Sequence, residues 1–142
     1  HQGHYTPKNP AKYVGNKSDI YYRSSWEKKF MVWADSNPNV IIGTPRIGYP
    51  YISPVDGKQH RYFVDFYIQI KQKDGTIRGY LIEVKPHKQT LPPKYPGKKT
   101  KRFITESLTY AKNQAKWKAA TEYAKDRNME FKILTENELG IK

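Results

Sequence analysis

Two carboxylates and an ammonium set out the chemistry this sequence can do. The segment GYLIEVKPHK carries Glu83 and Lys85 on either side of Val84, and RYFVDFYIQI carries Asp65. Side chains alternate along a strand, so Glu83 and Lys85 share a face. Between the two segments, Lys73-Asp74-Gly75 reads as a three-residue hairpin loop with Gly75 in the left-handed position. That loop pairs Gln72 with Thr76, Ile68 with Tyr80, Phe66 with Ile82 and Val64 with Val84, and it sets Asp65 directly across from Glu83. Carboxylates so placed, with Cβ atoms roughly 4.5–5.5 Å apart, repel each other unless a cation lies between them. Ligation by one or two carboxylates with retained waters suits Mg²⁺ or Mn²⁺, which bridge to substrate phosphate. The reaction that fits is phosphodiester hydrolysis, with Lys85 positioning the attacking water or offsetting charge in the pentacoordinate transition state.

The composition points to the same kind of substrate. In 142 residues, 26 Lys and Arg face 13 Asp and Glu, a net charge of +13 that calls for a polyanionic partner. The chain has 14% aromatic residues, 12 of them tyrosines, so it has enough large side chains to fold and is not a disordered basic tail. It contains no cysteine, which excludes disulfide frameworks, Cys-ligated zinc and thiol nucleophiles. No apolar run reaches the roughly 18–20 residues of a membrane helix, and no signal-peptide hydrophobic region follows the N-terminus. The expectation is a soluble, intracellular protein of one domain.

Several elements must position the acid pair. The opening HQGH is set aside from the fold as in part a remnant of expression. Residues 1–23, rich in Pro, Lys, Asn and Tyr without periodicity, read as an extended basic arm, and 24–142 as a single domain. Ser24 and Glu27 form an S-x-x-E capping box opening a helix over 25–36, with Trp26, Phe30 and Trp33 at helical spacing and Asn37-Pro38 as its stop. Val40–Ile42 and Tyr49–Ser53 are short strand candidates. RYFVDFYIQI alternates as one continuous strand, with Tyr62, Val64, Phe66, Ile68 and Ile70 on one face. Residues 77–85 return as its partner, and a Pro-rich basic loop without a carboxylate runs to Arg102. A long helix over 104–125, a strand in MEFKILT and a capping box at Thr135–Glu138 complete the chain. The core order is α-β-β-β-α-β.

These residues resemble the PD-(D/E)xK nuclease superfamily, the fold shared by many restriction enzymes, junction resolvases and the endonuclease subunit of Tn7-type transposases. Asp65 with Glu83-Val84-Lys85 is similar to its D…E-x-K signature, with Val64 standing where the signature name has proline. The resemblance implies an α/β, restriction-endonuclease-like core with a mixed sheet flanked by helices. It implies Asp65, Glu83 and Val84 as the positions that hold Mg²⁺ or Mn²⁺, and Asp65, Glu83 and Lys85 as catalytic. It also implies an extra acidic residue on the first helix, matched by Glu27, and a polar residue on the second, where Asn113, Gln114 and Lys116 are candidates and Gln114 is preferred. From YTPKNPAKYVG to ILTENELGI the chain also resembles the head-completion nucleases of large contractile-tailed bacteriophages. That similarity implies action on double-stranded DNA at the portal end of the filled head, after packaging and before tail joining, with portal or neck proteins as partners.

Each feature also has a plainer reading. Glu83 and Lys85 could be a cross-strand surface ion pair, and Glu27 could serve only as the third residue of its capping box. Gln114 could be a solvated helix position, and Glu27-Lys28-Lys29 is a second E-x-K with no such context. His60 and His87 lack a second histidine at metal-ligand spacing and are left out. The loop cations Lys88, Lys94, Lys98, Lys99, Lys101 and Arg102 are read as phosphate contacts rather than solubilising charge. Tyr49, Tyr51 and Tyr95 could stack on bases, although such tyrosines more often pack as core. The leading function is a metal-dependent DNA endonuclease. A catalytically inert DNA-binding plug of the phage head, or an RNA-directed protein, would share its charge.

Overall fold

The computed structural model describes residues 2–12, 21–22, 24–43 and 48–140. Three helices and eight strands appear among them: β1 (Gly3–His4), β2 (Tyr21–Tyr22), α1 (Ser25–Ser36), β3 (Val40–Gly43), β4 (Gly48–Ile52), β5 (Gln59–Phe63), β6 (Phe66–Lys71), β7 (Ile77–Val84), α2 (Lys101–Asp126), β8 (Met129–Leu134) and α3 (Glu136–Leu139). The central sheet has the order β3-β6-β7-β8. β3, β6 and β7 are antiparallel neighbours, and β8 returns parallel to β7 after the α2 crossover. This is the mixed α/β core read from the sequence.

Local chemistry explains the elements. The Ser24 hydroxyl accepts from the Glu27 N–H at 3.2 Å, and Thr100 caps α2 through the Phe103 N–H at 3.0 Å. That cap starts α2 three residues before the expected Ile104, because Lys101–Phe103 carry no part of the apolar periodicity. At Thr135 the capping box is reciprocal, with the Glu138 carboxylate accepting from the Thr135 N–H at 3.2 Å. The β6–β7 loop is as expected: Gly75 has φ +87°, Gln72 N–H donates to Thr76 at 2.7 Å, and the Asp74 carboxylate accepts from the Thr76 N–H.

The sheet separates two cores. On the α1 side, Phe30, Met31 and Ala34 meet Val40, Ile42, Phe66, Ile68, Ile82 and Val84. On the α2 side, Trp117, Ala120 and Ala124 meet Leu81, Val64 and the three tyrosines Tyr49, Tyr51 and Tyr62. The expected continuous strand over 61–70 is therefore not continuous. It breaks between β5 and β6, so Tyr62 and Val64 enter the α2 core while Phe66 and Ile68 enter the α1 core. β5 leaves the central sheet and pairs with β4 as a separate two-stranded ribbon, Gly48 opposite Phe63 and Tyr49 opposite Tyr62. The break has a local cause: the Asp65 carboxylate accepts the Val84 N–H at 2.8 Å, replacing the backbone partner a straight ladder would have used.

The expected N-terminal arm is tied to the body in its described part. Residues 13–20 and 23 lie outside the described residues, but β1 pairs with β2, so Gly3 and His4 of the segment set aside belong to the fold. The anchor is Asp35, 2% exposed at the end of α1. Its carboxylate accepts from the Tyr5 hydroxyl at 2.8 Å and from the N–H groups of Lys8 at 2.7 Å and Asn9 at 3.0 Å. The Lys12 ammonium caps the same helix end on the carbonyls of Ala34 and Asn37. Burial pushes the Asp35 carboxyl up, but the Lys8 N–H, the Tyr5 hydroxyl and the Lys12 charge hold it below the usual carboxylate value. Asp35→Ala strands three donors and is expected to cost about 3 kcal/mol. Urea unfolding at pH 7 measures this, and a loss under about 0.5 kcal/mol would remove Asp35 as the anchor.

Candidate active site

The bend between β5 and β6 and the end of β7 bring the signature residues together. Leu81 and Glu83 alternate with Ile82 and Val84, so Glu83 falls on the α2 side, where its side chain is 6% exposed. There the Tyr62 hydroxyl donates to the Glu83 carboxylate. Asp65 is close enough for its charge to act on Glu83, though not as its ladder partner: the antiparallel pairing of β6 and β7 stops at Phe66–Ile82. The bend takes Asp65 out of the predicted pair and turns its carboxylate to the Val84 N–H. Lys85 is half-buried just beyond β7, with its N–H bonded to the Leu134 carbonyl at 3.0 Å, so the parallel strand β8 fixes this end of the sheet.

The electrostatics is that of a strained acid. Burial first, and then the Asp65 charge, push the Glu83 carboxyl up to about 8. The Tyr62 hydroxyl and the charges of Lys85 and Lys116 pull the other way without overcoming burial. Tyr62 is itself pushed far up, by burial and by Glu83. Lys116 stands over the rings of Tyr62 at 5.5 Å and Tyr51 at 5.9 Å, and burial followed by the Lys112 charge lowers its ammonium pKa. A proton on Glu83 relieves its repulsion with Asp65, and a cation shared by the two carboxylates would do the same.

The donor set fits a hard divalent ion. Among the described residues no group of three or more acidic, histidine or cysteine side chains could hold a metal. Two carboxylates and the backbone at Val84 are what remain, which suffices for an ion such as Mg²⁺ that keeps several waters and shares substrate oxygens. The Asp65 carboxylate on the Val84 N–H and the buried Glu83 one residue before it, both at the end of β7, are the observation in favour of that fit.

Other predicted residues fall elsewhere. Gln114 is exposed and lines a groove of about 470 Å³ with Thr90, Trp117 and Phe131. Residues two apart on a helix stand about 160° from each other, so the helix face that presents Lys116 to Glu83 turns Gln114 away. Of the three α2 candidates, the structure brings Lys116 to the acid pair, while Asn113 is buried at 6% exposure. The sequence signal for this was the buried stripe of Trp117, Ala120 and Ala124, which orients the helix. Glu27 is half-buried, and its carboxylate accepts from the Ser24 hydroxyl at 3.3 Å, while its N–H supplies the Ser24 half of the expected capping box.

The cations Lys88, Lys94, Lys98, Lys99, Lys101 and Arg102 are all exposed, Arg102 in an ion pair with Glu106 at 2.7 Å. Tyr49 and Tyr51 are core, at 1% and 7% exposure, whereas Tyr95 is exposed and packs edge-on against Phe103 at 5.2 Å. His60 bonds Asp56 at 2.7 Å, and the His87 backbone N–H donates to Glu136 at 2.7 Å.

A mixed four-stranded sheet between helices, with two acids where two strands diverge and a lysine two residues past the second, defines a nuclease of the PD-(D/E)xK class. The chain belongs to the TnsA-like endonuclease family, whose N-terminal domain matches residues 37–136. It is also 42% identical, over 98% of its own length and 93% of the relative's, to the head completion nuclease of Enterobacteria phage T4. No solved structure matches the chain.

Proposed function

We propose that this protein is a metal-dependent DNA endonuclease acting in phage head completion, on the DNA end after packaging and before tail attachment. The observation that carries the reading is the Asp65 carboxylate on the Val84 N–H at 2.8 Å, beside the buried Glu83 and followed by Lys85. The family match and the relative's name support the nuclease assignment and its place in head completion. Portal or neck proteins of the filled head are the proposed partners, and the virion and its assembly site in the host the proposed location.

Each residue has a task set by its position. Asp65 and Glu83, with the backbone at Val84, would hold Mg²⁺ or Mn²⁺, which when bound would supply Lewis acidity to the scissile phosphate and its attacking water. Tyr62 orients the Glu83 carboxylate through its hydroxyl. Lys85 and Lys116 place positive charge where the phosphoryl oxygens gain negative charge, in a site made partly dry by Tyr51, Tyr62 and Trp117. The water oxygen bonds phosphorus as one P–O ester bond breaks, the leaving sugar oxygen takes up one of the water protons, and the new terminal phosphate releases the other. The cations from Lys88 to Arg102 hold the duplex by phosphate contacts and supply affinity without sequence information. Glu27 and Gln114 enter as outlying candidates from the family pattern.

Supercoiled plasmid incubated with the purified protein tests the reading. Nicking and linearisation are expected with Mg²⁺ or Mn²⁺ and none with EDTA. DNA retention without cutting in either metal would instead favour the inert plug, and cutting undiminished by EDTA would remove the metal from the mechanism.

A further inference from the structure

The β4–β5 ribbon presents one buried and one open face. Tyr49, Tyr51 and Tyr62 lock the first into the α2 core. The second carries Pro50 and Ile52 on β4 and Gln59, Arg61 and Phe63 on β5, all exposed and without a carboxylate. Phe63 is 47% exposed at the end of β5, two residues before Asp65. The Arg61 guanidinium lies over its ring at 5.8 Å. Gly48 stands opposite, and a Cβ there would come within 3.0 Å of both Arg61 Nε and the Phe63 ring. The glycine keeps the room that the arginine–phenylalanine pair occupies.

We infer that Phe63 and Arg61 form a stacking platform for an unpaired nucleobase next to the scissile phosphate, so that the substrate is DNA with splayed or single-stranded nucleotides at the cut. The inference rests on the nuclease reading above and adds the class of DNA. A single exposed phenylalanine is ordinary on a protein surface. This one is distinguished by a guanidinium over its ring, a glycine that accommodates the pair, and its place two residues before Asp65. An aromatic face with an arginine is how proteins hold bases without reading sequence. Phe63 and Asp65 are at most about 7 Å apart along the chain. That bound on the Cα separation, with the reach of the two side chains added, puts a base on Phe63 within a few nucleotides of a phosphate at Asp65. Bases inside an intact duplex are already stacked on both faces, which leaves unpaired ones for the platform.

The test uses duplexes with a short 3′ or 5′ overhang, or a fork, carrying 2-aminopurine at the unpaired position, in EDTA so that nothing is cut. Wild-type protein is expected to change the probe's fluorescence on binding and to prefer these substrates over a blunt duplex. Phe63→Ala should abolish the fluorescence change and weaken binding to unpaired substrates by about 5- to 100-fold, the range of one base–aromatic stack, leaving blunt-duplex affinity within twofold. Phe63→Trp should restore both. Unchanged binding and fluorescence in Phe63→Ala would overturn the platform, as would equal losses on blunt and overhanging DNA. Metal-dependent plasmid cutting by wild-type protein, measured beside these, tells a failed platform from a failed nuclease assignment: loss of cutting and of all DNA binding would overturn both.

Discussion

Glu83→Gln is expected to abolish DNA cleavage and at the same time to stabilise the protein at alkaline pH. Glu83 is buried on the α2 side of the sheet against the Tyr62 hydroxyl. Burial, with Asp65 behind it, raises its carboxyl to about 8 from an ordinary value of 4.5. Between those values the folded protein keeps a proton that the unfolded chain releases. Stability therefore falls as pH rises through that window, by at most about 1.4 kcal/mol per pH unit, and levels off above the folded value. Glutamine has nearly the same shape and no proton to lose. At pH 5, where the glutamic acid is neutral in the fold, the two proteins should unfold within about 1 kcal/mol of each other; at pH 8.5, in EDTA, the glutamine variant should be more stable by about 2 kcal/mol or more. Cleavage should drop by about a thousandfold or more, the scale of losing one preorganised charge at a transition state. Urea denaturation at the two pH values reads the first effect and plasmid cutting the second. Equal stability at both pH values would show that Glu83 is ionised in the fold, and retained cutting would take it out of the reaction.

The second large effect is expected at the strand break, where Asp65→Asn and Asp65→Ala separate two roles of one side chain. The Asp65 carboxylate both carries charge beside Glu83 and accepts the Val84 N–H at 2.8 Å. Asparagine keeps an oxygen for that hydrogen bond and loses the charge, whereas alanine loses both. Each variant should lose cleavage by about a thousandfold. Only alanine should also lose stability, by about 1–3 kcal/mol, as the Val84 N–H goes unpaired. In both, duplex binding in EDTA should stay within about twofold, because the phosphate contacts are assigned to the exposed cations from Lys88 to Arg102 and not to Asp65. A fully active Asp65→Asn would remove the acid pair from the mechanism. An alanine variant as stable as wild type would show that the bend does not depend on Asp65.

Much of this protein was legible in its residues. Helical spacing and capping signals placed α1, α2 and α3, because a cap is chemistry between neighbours in sequence. Lys73-Asp74-Gly75 set the β6–β7 register, since a short loop leaves a hairpin few ways to pair. That register put Glu83 on the face opposite Ile82 and Val84, and the +13 charge called for a polyanion.

What the tertiary structure decided lay where one residue answers to two elements. The alternation in RYFVDFYIQI continues through Asp65, so nothing local announces that the chain changes sheets there. The break follows from the Asp65 carboxylate taking the Val84 N–H, and from two cores on opposite sides of the sheet, each claiming one end of the run. The same division buried Tyr49 and Tyr51, the tyrosines that could have met bases, and left Phe63 in the open instead. On α2, periodicity marks a face but not what lies opposite. Only the packing of Trp117, Ala120 and Ala124 against Leu81 and Val64 aims Lys116, and not Gln114, at the acid pair. Properties written in local spacing were decided by the sequence alone; those that depend on which surfaces compete for the same side chain were decided by the fold.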